Sequence, residues 1–129
     1  MFAEDKSTVP AESRLSVEIT EQKSISTVHF GGTYGTLSVI LMKEMIDALV
    51  RNNRLKLILQ FDHLEALDES AYGYLEKIHE KVALYGGAIV VVCPAEESKK
   101  ICGKLKERYK FLIFPSFEEA RGYFIEREF

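Results

Sequence analysis

The sequence predicts an α/β fold: a mixed, mainly parallel sheet of about five strands with about four helices. Three observations predict it. The apolar runs LKLILQF, AIVVVC and FLIF, seven, six and four residues long, are too short for helices and too continuous for one-sided surface strands. Segments with apolar residues at helical spacing separate them. Two alternating segments joined by a short polar connection precede the first helical pattern.

The elements follow in order. The chain has 129 residues, the size of one domain. Residues 1–14, with Pro10 among them, read as a flexible polar tail, and 15–129 as the single domain. Leu15 to Thr20 alternates as a half-exposed strand. Glu21, Gln22 and Lys23 form a short connection to a second strand, Ser24 to Phe30, so the pair is antiparallel. GGTYGT, Gly31 to Thr36, is a tight loop. The first helix runs from Leu37 to Val50, with Leu37, Leu41, Met45, Ala48 and Leu49 inward and Ile40, Met42 and Ile46 widening the stripe. RNNR ends it, and Leu55 to Phe61 is a third strand.

Asp68 is then the expected cap of a second helix, with Glu69 in its positive first turn and Ala71, Leu75, Ile78 and Val82 buried. Gly86 and Gly87 stop it. Ala88 to Cys93 is a fourth strand. A third helix starts at Pro94 or Ala95, runs to about Tyr109 and buries Ile101 and Leu105. Phe111 to Phe114 is a short fifth strand. Ser116 and Glu119 form a capping box for a last helix that turns Phe117, Ala120, Phe124 and Ile125 inward. Right-handed crossovers join the parallel strands.

Composition narrows function. A net charge of −3 argues against general affinity for nucleic acid or anionic membranes. No apolar run is long enough to cross a bilayer, and residues 1–14 lack a signal-peptide core, so a cytoplasmic location is expected. Cys93 and Cys102 have neither C-x-x-C spacing nor clustered histidines. They read as structural thiols, with no metal site and no cofactor expected. His29, His63 and His79 are scattered over a strand, a loop and a helix. No nucleophile elbow, phosphate loop or dinucleotide glycine pattern occurs, so no catalytic residue is assigned and an enzyme is not expected. A response-regulator receiver is rejected too: the acidic pair after the first strand is missing, and Pro115 and Ser116 follow the last one. Glu96 to Lys110 holds six Lys or Arg against three Glu, the mark of a solvated helix face.

One run stands apart. LILQFDHLEALDESAYGYLEKI resembles the central motif of STAS domains, particularly bacterial anti-sigma factor antagonists. There an apolar strand and an acid-containing loop lead into Asp-Ser-Ser-Gly-Leu-Gly at a helix start. Asp68, Ser70 and Gly73 match that motif, while Glu69 and Ala71 depart from it. YGGAIVVVCPAEESKKI and YKFLIFPSFEEA resemble the family's later segments, so the likeness spans about residues 15–126.

The resemblance implies a STAS-like sheet and a non-catalytic regulator. Its partners would be an anti-sigma factor that is also a serine kinase, and a phosphatase that resets the switch. Ser70 would be the phospho-acceptor. Asp68, Glu69, Ser70, Tyr72 and Gly73, with Thr33, Tyr34 and Gly35 of the first loop, would form the partner surface; Gly35 stands where the family often has an acid. The alternative is a structural STAS subunit of a signalling scaffold or lipid-transport complex, without a phosphorylation switch. Monomer and dimer are both compatible with these features.

Overall fold

The computed structural model describes residues 16–31, 36–37, 39–62, 64, 66–94 and 96–127. The tail, Leu15, His63 and the loop residues Thr33, Tyr34 and Gly35 lie outside the described residues.

β1 (Ser16–Gln22) and β2 (Ile25–Gly31) form an antiparallel hairpin. β3 (Thr36–Leu37) leads to α1 (Val39–Arg51), and β4 (Lys56–Phe61) to β5 (Ala66–Leu67) and α2 (Glu69–Leu84). β6 (Ala88–Val92) is followed by a 3-10 turn, Glu96–Ser98, and α3 (Lys99–Glu107). β7 (Ile113–Phe114) and α4 (Phe117–Arg127) are the last described elements. The main sheet has five strands in the order β1-β2-β4-β6-β7, all neighbours after the hairpin being parallel. This is the predicted mixed sheet with four helices.

Alternation along the central strands divides the core. Leu57, Leu59, Ile89 and Val91 join Met42, Ile46, Leu75, Val82, Ile101 and Leu105, contributed by α1, α2 and α3. Ile58, Val90 and Val92 point the other way, onto Ala120 and Phe124 of α4. Both faces of β4 and β6 are therefore apolar, as a central parallel strand requires.

Some bounds differ from expectation: Leu37 lies in β3 and α1 begins at Val39, α3 begins at Lys99 after the 3-10 turn and ends at Glu107, and β7 begins at Ile113. Three further differences have local reasons. The hairpin turns at Lys23 and Ser24, both at positive φ (53° and 71°), so each flanking strand shifts and β1 extends to Gln22. A two-residue turn of that hand matches strand twist but normally selects Asn or Gly. In α1 the buried residues are Met42 and Ile46, while Leu41, Met45, Ala48 and Leu49 are half-buried and Ile40 is 70% exposed. The inward stripe is thus rotated from the one expected. In α4 Ala120 and Phe124 are buried as predicted, but Ile125 is 48% exposed, one position past the inward face. The capping bond of Ser116 is present: its Oγ accepts from the Glu119 N–H at 3.3 Å.

His79 gives a stability test. Its ring lies 4.3 Å from the Phe111 ring, and its Nδ1 is buried with no hydrogen-bond partner among the described residues. Burial holds its pKa below the ordinary 6.5. The unfolded chain therefore takes up the proton first as pH falls. Stability contributed by neutral His79 is full above pH 6.5 and is lost on acidification through the folded pKa. Urea midpoints of the wild type fall between about pH 7.5 and 5.5, above most carboxylate titrations. In His79→Gln that fall is smaller; an identical fall in both proteins removes His79 as its source.

Candidate functional site

A second, two-stranded sheet builds the site. β3 and β5 pair in parallel, Thr36 with Ala66 and Leu37 with Leu67. Each lies immediately before a helix, so this ladder holds the starts of α1 and α2 side by side. Buried Leu64 and Leu67 anchor the approach to α2. The buried Ser98 Oγ donates to the Leu64 carbonyl at 3.1 Å, tying the same segment to the start of α3.

Asp68 occupies the cap position of α2 with extended backbone angles (φ −60°, ψ 150°). Its carbonyl accepts from the N–H groups of Ala71 and Tyr72. Its side chain makes no capping bond, a correction to the expectation that it caps through its carboxylate. The first-turn N–H groups are therefore not engaged by that side chain.

Successive helical residues point about 100° apart, and the first turn of α2 uses this to separate its functions. Glu69 faces α3: its Oε2 accepts from Lys104 Nζ at 2.7 Å. That hydrogen bond and the lysine charge hold the Glu69 carboxyl below its usual range. Ala71 is buried in the core. Tyr72 is only 4% exposed, which places it inside the site and not on its surface. Its ring stacks on Tyr109 (5.6 Å between centroids, 10° between planes), with Lys104 Nζ 4.2 Å from its centroid. Burial first, then the Glu69 charge, raises the Tyr72 phenol pKa. Tyr72 thus supports the helix start.

Ser70, about 100° further round the helix than Glu69, is exposed. With Gly73, Tyr74 and Lys77 of α2 and Lys43 of α1 it lines an open hollow of about 380 Å³. A Cβ built on Gly73 would meet nothing within 4 Å, so the glycine keeps this face low. Tyr74 Oη donates to Asp47 Oδ1 at 2.6 Å, joining α2 to α1. Desolvation and that acceptor keep the phenol protonated.

Of the predicted site residues, the structure brings Ser70 and Gly73 to one exposed face, turns Glu69 to another and buries Tyr72. Sequence reasoning missed Lys104, Tyr109, Lys43 and Lys77 as members of this region. Lys77 carried a local signal, seven residues after Ser70 on the same helix face. Among the described residues no three His, Cys, Asp or Glu converge as metal ligands, and no helix is long and apolar enough to cross a membrane. His29 Nδ1 lies 4.0 Å from Asp62 on the sheet, and His79 packs on Phe111, so these two histidines sit in separate environments.

The STAS domain family model matches residues 16–120. The chain belongs to the STAS domain family. This STAS domain also resembles the solved structure of the anti-sigma factor antagonist SpoIIAA in its unphosphorylated form, with a TM-score of 0.58 and 12% identity. The match covers 88% of this chain and 98% of that one, and it establishes a shared fold. A search of curated protein sequences finds no match.

Proposed function

We propose that this STAS domain is a non-catalytic partner-switching regulator of the anti-sigma factor antagonist type, acting in the cytoplasm. Its partner is an anti-sigma factor that is also a serine kinase, and Ser70 is the phospho-acceptor. Ser70 Oγ attacks the terminal phosphorus of the kinase's nucleoside triphosphate. The Oγ–P bond forms, the bond to the diphosphate breaks, and the hydroxyl proton leaves to solvent or a kinase base. A phosphatase hydrolyses the ester to reset the switch. Asp68, Ser70 and Gly73 contribute the α2 part of the contact surface. Glu69 and the loop residues Thr33, Tyr34 and Gly35 flank it.

One observation carries this reading: Ser70 is exposed at the start of α2 and lines a different hollow from the Glu69–Lys104 pair. A kinase therefore meets an accessible hydroxyl on a fixed helix start, and the adjacent acid is already engaged. A phosphate there also lies at the positive end of the α2 dipole.

The test is capture of the protein from its native cells followed by mass spectrometry. Phosphoserine at position 70 and a kinase-type partner released on phosphorylation are expected. A stable multi-subunit complex whose composition ignores the state of Ser70 sinks the switch in favour of a structural subunit.

Gly73→Ala separates folding from contact. The new Cβ meets no atom and removes a helix-interior glycine, so stability rises by about 0.5–1 kcal/mol. Partner affinity falls, because the methyl stands on the face beside Ser70. Unchanged affinity by titration calorimetry removes Gly73 from the contact surface.

A further inference from the structure

We propose that the hollow between α1 and α2 is a receptor for the phosphate on Ser70, with Lys43 and Lys77 as its two cationic arms. This rests on the reading of Ser70 as the phospho-acceptor and assigns what receives the phosphate within the domain itself. Ser70, Gly73, Tyr74, Lys77 and Lys43 line one hollow of about 380 Å³. That volume is ample for a phosphate group and its water.

The direction of the side chains favours closure. Helical side chains lean toward the N-terminus, so Lys77 leans from the third turn of α2 back toward Ser70. Its four-carbon stem carries a mobile point charge. Lys43 reaches across from α1, its Nζ 6.0 Å from the Tyr74 ring centroid. Tyr74 is held as the wall between the lysines by its bond to Asp47. Gly73 puts no side chain in the way.

The charges agree. Among the described residues neither Lys43 nor Lys77 has a carboxylate within 4.0 Å, whereas Lys104 on the far side is paired with Glu69. Among the described residues, charged groups near this face include Asp68 before the helix, Asp47 and Lys81 in one adjoining hollow, and Glu44 and Arg51 in another that shares Lys43. Asp47 already accepts from Tyr74, and Lys81 adds a third cation. A phosphoserine brings a charge of about −2 to these two lysines. Phosphorylation therefore erases a basic spot as well as adding an acid, and it ties α1 to α2 through one ester.

The experiment installs phosphoserine at position 70 of the full chain by genetic code expansion, with no kinase required. Phosphorus NMR then follows the second ionisation of the phosphate with pH. The lysines favour the dianion, so its pKa in the wild-type groove is lower than in the Lys43→Gln/Lys77→Gln protein. The expected gap is about half a unit or more, roughly a threefold change in proton affinity. Both lysines are exposed, so the substitutions leave the core intact. Lys106→Gln, on α3 and away from this hollow, leaves the value unchanged. Equal titrations in the wild-type and double-substituted backgrounds overturn the receptor, even where phosphorylation still releases a partner. A clear gap upholds the receptor, and if native protein then carries no phosphoserine, it is the kinase-switch reading that fails.

Discussion

Gly87→Ala destabilises the domain by about 2–4 kcal/mol, because the added methyl overlaps backbone that cannot retreat. An ideal Cβ at Gly87 stands 2.2 Å from the Leu55 carbonyl oxygen, 2.5 Å from Leu55 Cβ and 2.9 Å from Leu55 C. That oxygen accepts from the Ala88 N–H at 2.9 Å, the first bond joining β4 to β6. The Gly87 N–H itself closes α2 by donating to the Val82 carbonyl at 2.9 Å. Relieving the overlap therefore either breaks the start of the central strand pair or unwinds the helix end. For a domain of this size the loss corresponds to a fall in Tm of roughly 10 °C. Gly122→Ala is the matched control: a Cβ there meets nothing within 4 Å, and stability rises by up to about 1 kcal/mol. Equal melting temperatures for Gly87→Ala and the wild type would show that the strand pair yields freely at this point.

Gly87 also shows how much of the fold was readable. The glycine pair marked the end of α2 correctly, and Gly86 supplies the left-handed turn at φ +88°. The closest contact belongs to the second glycine, and only the position of Leu55, 32 residues earlier, reveals it. The same division runs through the chain. Apolar strands and helical stripes gave the five-stranded sheet and four helices because burial on a regular element imposes its own period. Lys23 and Ser24 hid the hairpin turn because neither is a residue that left-handed turns normally select. The two-residue ladder of Thr36–Leu37 with Ala66–Leu67 is too short for any period, yet it sets the starts of α1 and α2 side by side.

The candidate site was legible to a similar depth. The order strand, loop, Asp68, Ser70, Gly73 was visible because it is contiguous. The fate of Glu69 was not, since it depends on Lys104, 35 residues later on another helix. Glu69 and Ser70 are neighbours in sequence, but their side chains line different hollows. The packing of Tyr72 was hidden for the same reason: it rests on Tyr109 and Lys104, both far away in sequence. Helix periodicity gives the angle between residues. It does not give the identity of what each angle faces.

Phosphoserine at position 70 is expected to weaken partner binding by roughly a hundredfold or more, and Ser70→Asp, with half the charge, by about tenfold or more. Ser70→Ala retains binding. The effect arises at an interface and not through unfolding. Acids in the first turn of a helix interact favourably with its positive end by about 0.3–1 kcal/mol, so Ser70→Asp is neutral or slightly stabilising in a urea melt. The preceding acid does not blunt the contrast, because Lys104 already engages Glu69 on the far side of the helix. The new charge at position 70 is therefore added to a face whose described flanking groups are Lys43 and Lys77. A partner that docks on this basic spot with acidic groups loses its attraction and meets repulsion in one step. Calorimetric titration of the captured partner against the Asp, Ala and phosphoserine forms reads the three affinities directly. Equal affinity for Ser70→Asp and Ser70→Ala, with both proteins melting like the wild type, would falsify the switch at Ser70.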